Sequence, residues 1–207
     1  MDPTYQRGYW GFVFRFAAKD MLAGICIGTL LPQFPRRTLL AKTRAALELI
    51  ADHDPRQFAR LNQLAAGIFI FEKPGTLGTW LHGPKLILLS EEFIGTPENT
   101  DAAVACVIVH ETTHAWLEAR GIRYRPERRR RIEAICYRAE AAFARRLFDG
   151  AALQEHYEER AKDVLAQGDE DWSDAAFLVN DATRLRSLGV PEWLVEWFVR
   201  YKARRAA

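Results

Sequence analysis

Cysteine is scarce in this chain, and the three present, Cys26, Cys106 and Cys136, sit among apolar neighbours at no metal-like spacing. An odd count in such surroundings excludes a disulfide framework and reads as reduced core thiols, so the chain is expected to be cytoplasmic. Charge of one sign is also lacking. Lys and Arg number 29 against 27 Asp and Glu, for a net charge of +2, which leaves no global field to attract nucleic acid or an anionic membrane. Long hydrophobic runs are missing as well. The aromatic-rich stretch 9–31, YWGFVFRFAAKDMLAGICIGTLL, is interrupted by Arg15, Lys19 and Asp20, and its uncharged part is shorter than a stable transmembrane span requires. Nor does it resemble a cleaved leader, because Pro32, Gln33, Phe34 and Pro35 follow it where small residues belong. The expectation is a segment packed on the body, with weak interfacial membrane contact through 9–31 as the lesser alternative. Internal repeats and low-complexity tracts are absent, and oligomeric state cannot be read from the sequence.

With 207 residues and 49% hydrophobic content, the chain can bury a full core as one domain. It divides into an N-terminal segment (1–34), a central core (35–148) and a helical C-terminal extension (149–207). Leu39, Leu40, Leu47 and Ile50 predict a helix from Pro35 to Asp52, and Asp54-Pro55 opens another that runs to Ala66. GIFIFE (Gly67 to Glu72) and KLILLS (Lys85 to Ser90) read as strands, with loop chemistry from Glu72 to Gly83 around a short third strand at Thr79-Trp80-Leu81. An edge strand would offer its backbone to a peptide laid alongside it; which strand is the edge stays open. The extension reads as helices 151–167, 169–188 and 191–200, broken at Gly168 and at Gly189-Val190-Pro191. Phe177, Leu178, Leu185, Trp193, Leu194, Trp197 and Phe198 are assigned mainly to its core.

The most informative stretch is VIVHETTHAWL, Val107 to Leu117. Residues four apart share one face of an α-helix, so His110 and His114 aim two imidazoles at one point, which suits a metal ion. Glu111 lies about 100° around the helix. It is poorly placed as a third ligand of that pair, but its carboxylate can reach a metal-bound water and accept a proton from it. The preceding AAVACVIV is apolar on every side, the mark of a buried helix. Unpartnered imidazoles are costly there, and Zn2+ would satisfy both. Thr100 or Asn99 supplies the N-cap, and Gly121 ends the helix.

A catalytic zinc site takes a third protein ligand from a separate element. Between Glu127 and Phe148, residues Ile132, Ile135, Cys136, Ala139, Phe143 and Leu147 form an apolar helical stripe, with Glu133, Tyr137 and Glu140 along its border. Glu133, nearer the turn that folds this helix back, is the first choice for the ligand and Glu140 the second. The run Arg128 to Arg131 stands at a helix start, where the dipole disfavours cations, so acids nearby are expected to pair with it. Tyr124, Tyr137, His156 and Tyr157 are candidate donors to an oxyanion, and His53 and His82 are taken as structural.

HETTHAWL followed by Glu133 within RRIEAICYRAEAAFARRL resembles the gluzincin class of zinc metallopeptidases, closest to the compact minigluzincins, over about residues 65 to 148. The resemblance implies an α+β, zincin-like fold: a small β-sheet before a buried HExxH helix, then a third-ligand helix. It also implies an edge strand that holds an extended peptide or protein substrate. One departure is Tyr137, which stands where many of these enzymes carry an aspartate that orients a motif histidine. The expected function is a zinc-dependent metallohydrolase, a peptidase, with Glu111 as general base and His110, His114 and Glu133 as metal ligands. The alternative is a catalytically inactive regulatory or binding protein that keeps the zincin-like fold.

Overall fold

A computed structural model describes residues 17–30, 36–71, 76–187 and 190–206. Two strands come first, β1 (Ala18–Leu22) and β2 (Ile25–Thr29), paired antiparallel with Leu22 opposite Ile25. Their connection is the two residues Ala23 and Gly24, with φ of 45° and 94°, the left-handed pair that a tight hairpin of this twist demands. Helices α1 (Arg36–His53) and α2 (Pro55–Leu64) follow, divided at Asp54, whose side chain accepts from the Gln57 amide as an N-cap. Strands β3 (Gly67–Phe71), β4 (Gly78–Leu81) and β5 (Leu86–Ser90) complete one five-stranded sheet in the order β1-β2-β3-β5-β4. The central pairings β2/β3 and β3/β5 are parallel. Their continuous apolar runs, Ile68 to Ile70 and Leu86 to Leu89, are buried, as expected of parallel strands covered on both faces. The edge β4 is antiparallel to β5.

After a short helix α3 (Glu91–Gly95) comes the motif helix α4 (Asp101–Ala119). Thr100 caps it, accepting from the Ala103 amide, while the Asn99 side chain bonds the Phe93 carbonyl instead. At its other end Gly121, at φ 78°, lets the Ile122 amide reach back to the Leu117 carbonyl, and Ile122 packs on Leu117, the glycine-terminated helix end anticipated from Gly121. Val104 to Val109 are buried all round; each large side chain among them contributes roughly 1.5–3 kcal/mol by leaving water. The helix is therefore anchored through the centre of the core. Both motif threonines are buried and satisfied, Thr112 Oγ1 bonding the Ile108 carbonyl and Thr113 Oγ1 the Val109 carbonyl. From α2, Gln57 Nε2 reaches the same Val109 carbonyl at 3.3 Å.

Helix α5 (Pro126–Ala144) folds back on α4, and α6 (Ala151–Ala166) packs on α5. A 3-10 turn (Glu170–Trp172), α7 (Asp174–Ser187) and α8 (Glu192–Ala206) follow. Three expectations are corrected. Ile135 is 39% exposed, while Ala134, Glu140 and Ala141 are buried; the inward face of α5 is turned toward the imidazoles and takes in a carboxylate. In the last two helices, Phe177, Trp193, Leu194 and Trp197 are exposed, and among the described residues there Ala182 and Val195 are the buried hydrophobic ones, because α7 and α8 pack chiefly on one another. The last helix runs on to Ala206 and does not stop at Arg200.

The expected packing of 9–16, and the break at Gly189, lie outside the described residues. Among the described residues the architecture is α+β, with a mixed five-stranded sheet and eight α-helices, and no helix is long and apolar enough to cross a membrane. All three cysteines are free thiols.

Candidate metal centre and cavity

The two imidazoles of α4 face α5, their ring centroids 4.9 Å apart. Glu133, two turns into α5 from Pro126, reaches across to both. Its Oε2 is 3.1 Å from His110 Nε2 and its Oε1 3.4 Å from His114 Nε2. A tetrahedral zinc with bonds of about 2.0–2.1 Å holds its ligands about 3.3 Å from one another. Each oxygen faces a different imidazole, and each spacing taken singly is close to that of two ligands on one zinc. All three side chains are only 12–14% exposed, and buried groups of this kind need one another or an ion.

Glu140, the second candidate, takes a different place. Its Oε2 lies 2.8 Å from His110 Nδ1, on the far side of the ring from Glu133, and its side chain is 3% exposed. A carboxylate on Nδ1 sets the ring's orientation and leaves Nε2 for a metal. Glu140 stands one turn beyond Tyr137 on the same helix. Tyr137 instead sets its ring edge-on to His110 at 5.1 Å.

Burial, which pulls an imidazolium pKa down, is outweighed at His110 by the Glu140 and Glu133 carboxylates, so its pKa is raised well above the ordinary value. At His114 burial is likewise outweighed, here by Cys136 and Glu133, and the pKa is pushed up to about 10. Glu133 is held well below the usual carboxylate range: the two imidazoles overcome its burial. Glu140 goes the other way, because burial dominates.

In the sequence Cys136 reads as a reduced core thiol at no metal-like spacing, on the apolar stripe, and not as a candidate ligand. It is fully buried, and its sulfur lies within 4.8 Å of the ligand nitrogens of His110 and His114, so these three residues form a group able to hold a metal ion. The only signal in the sequence was its position one turn after Glu133 on the same helix face.

These residues open onto a cavity of about 930 Å³ lined by His110, Glu111, His114, Glu133 and Glu140, with Gly78 to Trp80 of β4 on one side and His156, Tyr157 and Arg160 of α6 on another. Cys136 does not line it. Glu111 is 6% exposed and makes no hydrogen bond to another described residue, unlike Glu133 and Glu140. It packs against β4 so closely that a Cβ on Gly78 would stand 2.8 Å from Val107 Cγ1 and 3.0 Å from the Glu111 carboxylate. Glycine is what lets this edge strand approach the helix.

The remaining candidates separate cleanly. The Tyr124 hydroxyl donates to Glu133 Oε1 at 2.7 Å, so it positions the carboxylate. His82 pairs with Glu118, which also accepts from Trp80 Nε1, tying the end of β4 to the motif helix. Of the arginine run, Arg129 bonds Asp174 and the Trp172 carbonyl and lies over the Tyr124 and Phe177 rings, while Arg130 pairs with Asp169. They fasten the extension beside the cavity, to which Phe177 and Asp181 contribute.

Comparison with protein-family models, with curated proteins and with solved structures finds no match for this chain. Its chemistry has to be read from the site itself.

Proposed function

We propose that this chain is a zinc-dependent metallohydrolase of gluzincin type and acts as a peptidase. The observation that carries the reading is Glu133 spanning the Nε2 atoms of His110 and His114 at the rim of a cavity that also holds the unbonded carboxylate of Glu111. His110, His114 and Glu133 would hold the ion, and its chemistry there would be to acidify a water and polarise a carbonyl. Glu111 accepts the proton from water in the cavity and returns it to the leaving amine. Glu140 keeps the His110 ring in register, and Tyr124 does the same for Glu133. Gly78 to Trp80 of β4 line the cavity beside Glu111, where an extended peptide substrate would lie.

Two measurements test this. Purified protein is expected to carry about one zinc per chain, lost in His110→Ala and His114→Ala. A peptide library is expected to be cleaved by the wild type and not by Glu111→Gln, with the metal retained in both. Equal, negligible rates with full metal content would sink the peptidase and leave the second reading.

That second reading is a regulatory or binding protein without turnover, and Cys136 is what favours it. Were its thiolate a fourth ligand beside His110, His114 and Glu133, the ion would be closed to water, as structural zinc sites are. Cobalt substitution distinguishes the two. A thiolate-to-cobalt charge-transfer band that vanishes in Cys136→Ser marks the closed site; its absence favours the open one.

A further inference from the structure

The wall of the cavity formed by α6 carries a feature that the hydrolytic chemistry leaves unused. Arg160 is the one arginine or lysine among the described residues that line the cavity. Its guanidinium sits 5.4 Å from the centre of the Tyr137 ring, and Nη2 donates to the Tyr137 hydroxyl at 3.3 Å. Tyr137 in turn sets its ring against His110. The cation is thus fixed one tyrosine ring away from the first motif histidine. Among the described residues no carboxylate is within ion-pair distance of it, so most of its five N–H donors are free.

One turn earlier on the same helix face stands His156, exposed, lining the same cavity and packed edge-on against Tyr157 at 5.1 Å. It makes no hydrogen bond to another described residue. Of the acids that line the cavity, Glu133 and Glu140 face His110 and Glu118 faces His82 and Trp80, while Glu111 and Asp181 complete the lining. The α6 wall therefore presents a held guanidinium and, one turn away, an imidazole, and a guanidinium is shaped to grip a carboxylate with two parallel hydrogen bonds.

We infer that Arg160, assisted by His156, receives a carboxylate of the substrate, so that the cavity selects peptides carrying that group close to the cleaved bond. The carboxylate is either the peptide's own C-terminus or an Asp or Glu side chain. This rests on the peptidase reading for the word substrate, but the binding event is measurable without turnover.

The test uses zinc-loaded Glu111→Gln protein, with and without Arg160→Ala, and three versions of one cleavable peptide. The first has a free C-terminus, the second is amidated, and the third is amidated with an acidic residue near its end. Calorimetry is expected to show one of the two carboxylate-bearing peptides binding about ten-fold or more tighter than the plain amide. Arg160→Ala is expected to bring that ratio close to one, with Arg160→Lys restoring part of it. Tighter binding of the first peptide identifies the C-terminus; tighter binding of the third identifies a side chain. Equal affinities for all three, or a preference that survives Arg160→Ala, would overturn the inference. The same peptides given to protein with Glu111 intact report separately on hydrolysis. Selective binding without cleavage would refute the peptidase and leave the carboxylate site standing.

Discussion

Glu140 Oε2 stands 2.8 Å from His110 Nδ1 while Glu133 Oε2 stands 3.1 Å from His110 Nε2, so one helix holds the same imidazole from both of its nitrogens. Glu133 and Glu140 are two turns apart on α5 and project from the same side. In the neutral ring only one of the two nitrogens carries a proton, so the tautomer follows from which carboxylate accepts it.

If Glu140 orients His110, its removal should loosen the metal without removing a ligand. Glu140→Gln is expected to weaken zinc binding by about 10- to 100-fold, read by competition with a chromophoric chelator. Glu133→Gln should cost more, because a donor atom is lost. Affinities for the two variants in the reverse order would show that Glu140 is the ligand.

Proton release gives the sign of the pH dependence. Both motif histidines have raised pKa values, that of His114 about 10, so in metal-free protein at pH 7 both carry a proton that an ion must displace. Zinc uptake is then expected to release about two protons at pH 7 and fewer as the pH rises toward 10. Calorimetry in buffers of different ionisation enthalpy counts them. In metal-free protein the same shifts are a stability contribution. It is fully present below the unfolded histidine pKa of about 6.5, and it is lost as the pH rises through about 10 at His114. Denaturant midpoints of chelator-treated protein should accordingly fall between pH 7 and pH 10.

Gly78 tests the coupling between sheet edge and base. Adding a methyl there meets Val107 Cγ1 at 2.8 Å and Glu111 at 3.0 Å, so either β4 or the Glu111 side chain has to give way. Gly78→Ala is expected to cost about 1–3 kcal/mol of stability, read by urea denaturation, and to lower peptide turnover by more than ten-fold, because small misplacements of a catalytic group are expensive. Unchanged turnover with unchanged zinc content would mean that the approach of β4 to Glu111 has no catalytic role.

The motif helix was legible because its signals are local. His110 and His114 at one helical spacing, the apolar run before them, a capping threonine at position 100 and Gly121 at the end all act within a few residues. The strands at 67–71 and 86–90 were legible for the same reason, and so was the short strand around Trp80. The α5 stripe was less so: Ile135 fits the apolar period but faces water, and Glu140 breaks the pattern yet is buried. Periodicity records which residues are apolar; a buried carboxylate becomes affordable only once His110 stands opposite it.

The order of strands, and with it the position of β4 at the sheet edge beside Glu111, was decided by long-range pairing that no window of the sequence contains. So were the placing of Cys136 behind two imidazoles from another helix and the exposure of Trp193 and Trp197. By itself the sequence determined most of the helices, the strands at 67–71 and 86–90 and the two histidines of the pair, though not the β1–β2 hairpin, since backbone preference and helical spacing are properties of neighbours along the chain. Only the tertiary structure decided which carboxylate faces Nε2 and which faces Nδ1, because that depends on how far one helix slides along another, and sliding is settled by packing of the whole core.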